Sequence, residues 1–157
     1  MRDDLISALN SSPKIVERLL RVFPKTRLDD RSETDRFTPR EVIAHLADWE
    51  QVILDRVRVA KIRPGNPGPV EDATQRALTH HYGDKDVFHE AEVFESRRQT
   101  TLEYLRDLNE VDWKKTFIHQ SMGEVTIEAY MINILEHDMY HLEQLSCYLA
   151  NEVASIA

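Results

Sequence analysis

Residues 127–149, IEAYMINILEHDMYHLEQLSCYL, decide the fold. At 100° per residue, Ile127, Tyr130, Ile134, His137, His141, Leu145 and Tyr148 fall within one arc about 80° wide. A stripe of that width marks a helix buried along one face. Thr126 is a suitable N-cap, and the periodicity predicts a helix from there to about Asn151. Two histidines lie within the apolar arc. Residues four apart on a helix are neighbours, with Cβ atoms about 5–6 Å apart. A lone histidine on such a face is ordinarily a core residue held by one hydrogen bond. Two of them cost more to bury unpartnered, so the pair points to something that both rings share.

A third histidine extends this reading upstream. His45 lies in PREVIAHLADWEQVILDRV, residues 39–57. Thr38 precedes Pro39 and is followed by Glu41, the pattern of a capping box with proline at the first helical position. The stripe Val42, Leu46, Trp49, Val52, Ile53 and Val57 carries this second helix to about Ile62. Two further segments share the helical beat. One covers roughly Asp4 to Phe23, with a kink or short break expected after Ser12 because Pro13 follows. The other runs from about Asp86 to Asn109. Between the second and third lies RPGNPGPVED, which cannot be helical, and then a short helix around Asp72 to Tyr82. EVDWKKTFIHQSMGEV, residues 110–125, has a turn at Met122-Gly123 and room for a small extended pair.

Four amphipathic segments make an all-α chain, a four-helix bundle. Its links are long, roughly 14, over 20 and about 16 residues, which permits crossovers between parallel neighbours. The 157 residues fit one domain, 1–157. With 28 acidic against 20 basic residues the net charge is −8, which argues against nucleic acid as a partner. The apolar runs are too short for a membrane span, and the opening MRDDLISALNSSPK lacks the apolar core of a signal peptide. One cysteine, Cys147, cannot form an internal disulfide. These features suggest a cytoplasmic protein.

FTPREVIAHLADWE (37–50), a proline-rich loop, FESRRQTTLEYLRDL (94–108) and GEVTIEAYMINILEHDMYHLEQL (123–145) together resemble the DinB/YfiT superfamily. The resemblance covers nearly the whole chain. Its specific parts are the histidine before Leu-Ala-Asp in the second helix and the HxxxH pair in the fourth. It implies a bundle with crossover connections and one divalent metal ion held by His45, His137 and His141. It also implies an activity, since the superfamily includes thiol transferases, a mycothiol-dependent isomerase and metal-dependent hydrolases. Homodimers are common in it. The alternative is a non-enzymatic, metal-binding or stress-associated bundle.

Three neutral imidazoles leave the full charge on a divalent ion and leave coordination positions open, as in catalytic rather than structural sites. Such an ion draws a bound water's pKa toward ~7 and holds a bound thiol as thiolate. Hydrolysis and transfer of a low-molecular-weight thiol to a small-molecule substrate are both compatible. Zinc, nickel and iron all accept imidazole. Asp48, one turn after His45, and Asp138, beside His137, are candidates to orient a ligand ring or take a proton. Arg56 and Arg98 sit on apolar lines, either paired with buried carboxylates or reaching a cleft to bind an anionic substrate or cosubstrate.

Other residues read more plainly. His137-Asp138-Met139-Tyr140-His141 differs from the zinc-protease box by aspartate for glutamate, and a protease is disfavoured. Trp49 is expected in the core or on a pocket wall, and Cys147 as a packed thiol. His80, His81 and His89 read as surface, whereas His119 lies in a loop from which it could line a cleft.

Overall fold

Four long helices form the frame of the computed structural model, which describes residues 1–31 and 36–156, with side chains through 150. They are α1 (Arg2–Val22), α2 (Pro39–Ile62), α4 (Val87–Arg106) and α6 (Ile127–Ile156). Shorter elements fill the links: α3 (Ala73–Thr79), α5 (Glu110–Trp113), and a hairpin of β1 (Thr116–His119) and β2 (Gly123–Thr126). Local signals start the helices where the sequence predicts. Thr38 Oγ1 accepts from the Glu41 amide while Glu41 accepts from the Thr38 amide, closing the capping box. Thr126 Oγ1 accepts from the Ala129 amide at the head of α6. No helix among the described residues is long and apolar enough to cross a membrane.

Side-chain contacts set the helix directions. Arg2 reaches Glu128 and Phe23 packs on Tyr148, so α1 and α6 run parallel. His45 meets His137 and Arg56 meets Tyr130, so α2 opposes α6. Arg97 bonds the Ala47 carbonyl and Lys61 lies over Tyr104, so α2 and α4 are parallel neighbours. The order is therefore up, down, down, up, and the α2–α4 link must travel back along the bundle. It does so clipped at both ends. Near its start, Pro67 bridges to Ile118 of β1, and Gly68 donates to the Ile118 carbonyl. A Cβ on Gly68 would lie 2.7 Å from the Phe117 ring, so only glycine allows the link this close. Farther on, α3 docks on α2 through Asp48, described below.

The bundle is joined at its middle by one side chain. Arg98 of α4 is fully buried. It bonds Glu50 of α2 at 2.6 Å, Asp138 of α6 at 2.6 Å and the Leu9 carbonyl of α1 at 2.9 Å. The last bond corrects the expectation at Pro13. α1 is continuous from Arg2 to Val22. Proline has no N–H to give the carbonyl four residues back. That carbonyl belongs to Leu9, and Arg98 takes it, so the helix continues past Pro13.

Three more sequence readings are revised. The fourth helix reaches Ile156, past Asn151. α5 was not legible as a helix, and rests on a four-residue capping box between Asn109 and Asp112. Cys147 is exposed rather than packed, because it lies off the centre of the apolar arc.

Arg98→Met should destabilise the fold by about 3–5 kcal/mol, because it strands two buried carboxylates. Adding Glu50→Gln and Asp138→Asn should recover part of that loss. Urea unfolding of the single and triple variants measures both; a loss below about 1 kcal/mol in the single variant contradicts this role.

Candidate metal centre

His45 sits in the second turn of α2, and His137 and His141 occupy consecutive turns of α6. Because α2 and α6 are antiparallel, the three rings meet. Their centroids are 5.1 Å apart for His45–His137, 5.0 Å for His45–His141 and 4.6 Å for His137–His141. One ring nitrogen from each lies within 4.8 Å of the others. Two nitrogens bound to one ion at about 2.0–2.1 Å each lie no more than about 4.2 Å apart. The Nε2 atoms of His45 and His137 are 3.0 Å apart.

The charge state suits a cation. Burial pushes the His45 pKa well below its usual value, helped by the neighbouring rings. Burial likewise lowers His137. It carries His141 down to about 4, with His137 adding to the effect. The rings are neutral at physiological pH and offer lone pairs. Gln144, one turn after His141, was missed in the sequence although it shares that face. Its Oε1 lies 3.1 Å from His141 Nδ1. An amide oxygen can only accept, so the ring proton sits on Nδ1 and Nε2 is left for a ligand.

The two aspartates do not take the roles considered for them. Asp48 makes no hydrogen bond to His45. Its carboxylate is held by Arg76 at 2.7 and 2.9 Å, Tyr82 Oη at 2.5 Å and His80 Nδ1 at 3.2 Å. Burial opposes its ionisation, but the bonds from Arg76 and Tyr82 prevail and bring its pKa to about 2. Asp48 thus ties the crossover link to α2, and Tyr82 lies behind the His45 ring. Asp138 is committed to Arg98. The Nδ1 atoms of His45 and His137 consequently have no partner among the described residues, although both are buried.

The arginines divide. Arg98 belongs to the buried joint and is remote from solvent. Arg56 lines the same cleft as the histidines, an opening of about 500 Å³. Trp49 walls it between them, its ring 5.2 Å from that of His45 and 5.6 Å from the Arg56 guanidinium. His119 also lines it, from the hairpin. His80, His81 and His89 lie elsewhere, around a separate depression.

The family model of the DinB superfamily matches residues 8–145, and the chain belongs to that superfamily. YfiT from Bacillus subtilis, described as a probable metal-dependent hydrolase with an unusual four-helix bundle topology, superposes with a TM-score of 0.89 at 18% identity. The match covers 96% of this chain and 86% of that one. A mycothiol-dependent maleylpyruvate isomerase superposes at 0.74 with 12% identity, over 91% of this chain but 60% of the isomerase. TT2238, a four-helix bundle protein, matches at 0.68 with 20% identity, over 94% and 99% of the two chains. At these identities the structures share the fold. No protein of curated function matches the chain by sequence.

Metal-free protein should lose stability as the pH falls from 6.5 toward 4. Above 6.5 the histidines are neutral whether folded or unfolded, so they contribute no slope. Below it the unfolded chain binds protons that the folded rings refuse. His141 alone should account for on the order of 3 kcal/mol by pH 4. Urea midpoints against pH in chelator, compared with His141→Gln, isolate this contribution; parallel profiles would refute it.

Proposed function

We propose that this chain is a metal-dependent enzyme acting on a small molecule at a divalent ion held by His45, His137 and His141. The observation that carries the reading is that three neutral imidazoles, two buried and His137 partly so, converge at the wall of an open cleft. A structural site is closed by its ligands, whereas three protein ligands beside a cavity leave room for a reactant. This supports an enzyme over a bundle that merely stores or senses metal. Zinc, nickel and iron are all compatible with the donor set.

The bound ion would supply a Lewis acid that favours the anionic form of the nucleophile beside it. The chain's own residues prepare that chemistry. Gln144 fixes the tautomer of His141. Phe37 packs against His45 at 5.4 Å and Trp49 at 5.2 Å, which restricts water around that ring. No carboxylate among the described residues hydrogen-bonds any of the three rings, so the ligand set remains electrically neutral. A neutral set leaves the ion's charge for an incoming anion, and a thiolate is the softer choice. Transfer of a low-molecular-weight thiol is therefore the leading reaction, with hydrolysis the alternative at the same centre. The mycothiol-dependent isomerase and the probable hydrolase among the structural neighbours are consistent with both.

His141→Ala should abolish metal binding yet leave a helical, cooperatively folding domain, because the apolar stripes do not depend on this ring. Metal content and circular dichroism, taken on protein purified without a nickel column, check the two halves. Unfolding of the variant would make the histidines structural instead. Cobalt-substituted protein should develop a sulfur-to-metal absorption band when titrated with low-molecular-weight thiols. Absence of the band with several thiols, while water at the metal still exchanges, would favour hydrolysis.

A further inference from the structure

Arg56 is buried, and none of its partners among the described residues is a carboxylate. Its Nε and Nη2 donate to the Pro69 carbonyl at 3.2 and 3.1 Å, and Nη2 also to Gln120 Oε1 at 3.1 Å. Gln120 is itself fixed, accepting from the Glu71 amide and donating to the Glu71 carbonyl. That edge of the guanidinium is anchored to the link and the hairpin. The other edge, Nη1, faces His119 Nε2 at 3.1 Å and Tyr130 Oη at 3.3 Å.

The contact with His119 does not balance. His119 Nδ1 lies 3.2 Å from the backbone amides of both Ser121 and Met122. Amides can only donate, so Nδ1 is unprotonated and the neutral ring carries its proton on Nε2. Nε2 then points a hydrogen at Arg56 Nη1, which also can only donate. Burial and the Arg56 charge both lower the His119 pKa, so a second proton does not resolve the conflict. Tyr130 Oη accepts from Arg56, and its own hydroxyl proton has no acceptor among the described residues. Tyr130 Oη takes one Nη1 hydrogen, which leaves the other Nη1 hydrogen, the His119 Nε2 proton and the Tyr130 hydroxyl proton converging on the wall of the cleft without an acceptor among the described residues. The acids nearby are engaged elsewhere. Glu71 pairs with Arg76 at 3.1 Å, and Asp72 caps α3 through the Gln75 amide at 2.7 Å.

We propose that Arg56, His119 and Tyr130 form a carboxylate-binding subsite, so that the small molecule acted on at the histidine centre is an acid. An anionic oxygen entering between Nη1 and Nε2 accepts from both, and a planar carboxylate can take the Tyr130 hydroxyl as well. His119, only partly buried on its hairpin, is the member that gives way. The subsite lies at a defined remove from the metal ligands. Trp49 is 5.2 Å from the His45 ring and 5.6 Å from the guanidinium, so the two groups are within about 11 Å of one another. Tyr130 and His137 are seven residues apart on α6, about 10 Å along its axis, so an acid that meets both carries its reacting group several bonds from its carboxylate. This assignment rests on the proposed function for its chemistry, but the anion site can be tested without it.

Two probes of equal length separate the two ideas. On cobalt-loaded protein at fixed pH, 6-mercaptohexanoate should bind at least about tenfold more tightly than uncharged 6-mercaptohexanol, read from the absorption band. His119→Ala and Tyr130→Phe should each reduce that preference at least about threefold. Arg56→Gln should abolish it, and the two milder variants keep the test open if Arg56→Gln does not fold. On metal-free protein, hexanoate should shift the ring nitrogen resonances of His119, and hexanol should not. Equal binding of the two thiols, or a preference that survives His119→Ala and Tyr130→Phe, overturns the subsite while leaving the thiol reading intact. A His119 response to hexanoate with no band from either thiol supports the subsite and removes the thiol reading.

Discussion

The bundle depends on where a single guanidinium places its hydrogen bonds. Arg98 starts on α4 and reaches α2 through Glu50, α6 through Asp138 and α1 through Leu9. Apolar packing is tolerant of small slides, since one methyl group can replace another in a contact. A buried charged fork is not, because a misplaced carboxylate loses its partner at low dielectric. Asp138 directly precedes the exposed Met139 and directly follows His137, so fixing it fixes the rotation of α6. Glu50 lies five residues beyond His45 and does the same for α2. The joint therefore sets the two helices that carry the histidines, without touching any of the three rings.

Sequence patterns read the elements well and the polar interior less well. The capping box at Thr38 and the arc through His137 and His141 were visible because capping and periodicity are local. That the α2–α4 link is long was also visible, and the parallel order of those helices explains it. The fates of Arg56 and Arg98 were not separable. Both lie on apolar lines at helical spacing, and only the fold shows that acids from two other helices bond one, while no acid among the described residues bonds the other. Asp48 looked suited to a role beside His45 because it lies one turn away. Arg76, 28 residues later, claims it, and a pattern read along one helix cannot show that. The continuity of α1 past Pro13 has the same origin, since its remedy comes from residue 98. The hairpin was a weak signal, four residues a side, held by a register that ends at Gly123 with φ of +72°.

The cleft has two electrically distinct ends. Around the histidines the three rings are neutral and no acid among the described residues hydrogen-bonds them, although the chain as a whole carries a net charge of −8. At the other end the Arg56 guanidinium sits among a carbonyl, an amide, a phenol and an imidazole. The surplus acidity is spent on the surface and in pairs such as Asp48–Arg76. An anion drifting toward this protein meets a repulsive exterior and an attractive interior, which favours small acids that can enter over large polyanions that cannot.

The up, down, down, up order has a consequence for how the molecule comes into being. His45 and His137 are 92 residues apart, and the helices that carry them are joined by way of α4 and the crossover. Contacts that distant in sequence are slow to form, since the intervening chain must be ordered first. No fragment ending before Thr126 contains two of the three histidines. During synthesis the centre can close only after α6 has emerged. Capture of an ion by all three rings would then follow the docking of α6 on α2, and its binding energy would be shared by the whole bundle rather than by one segment.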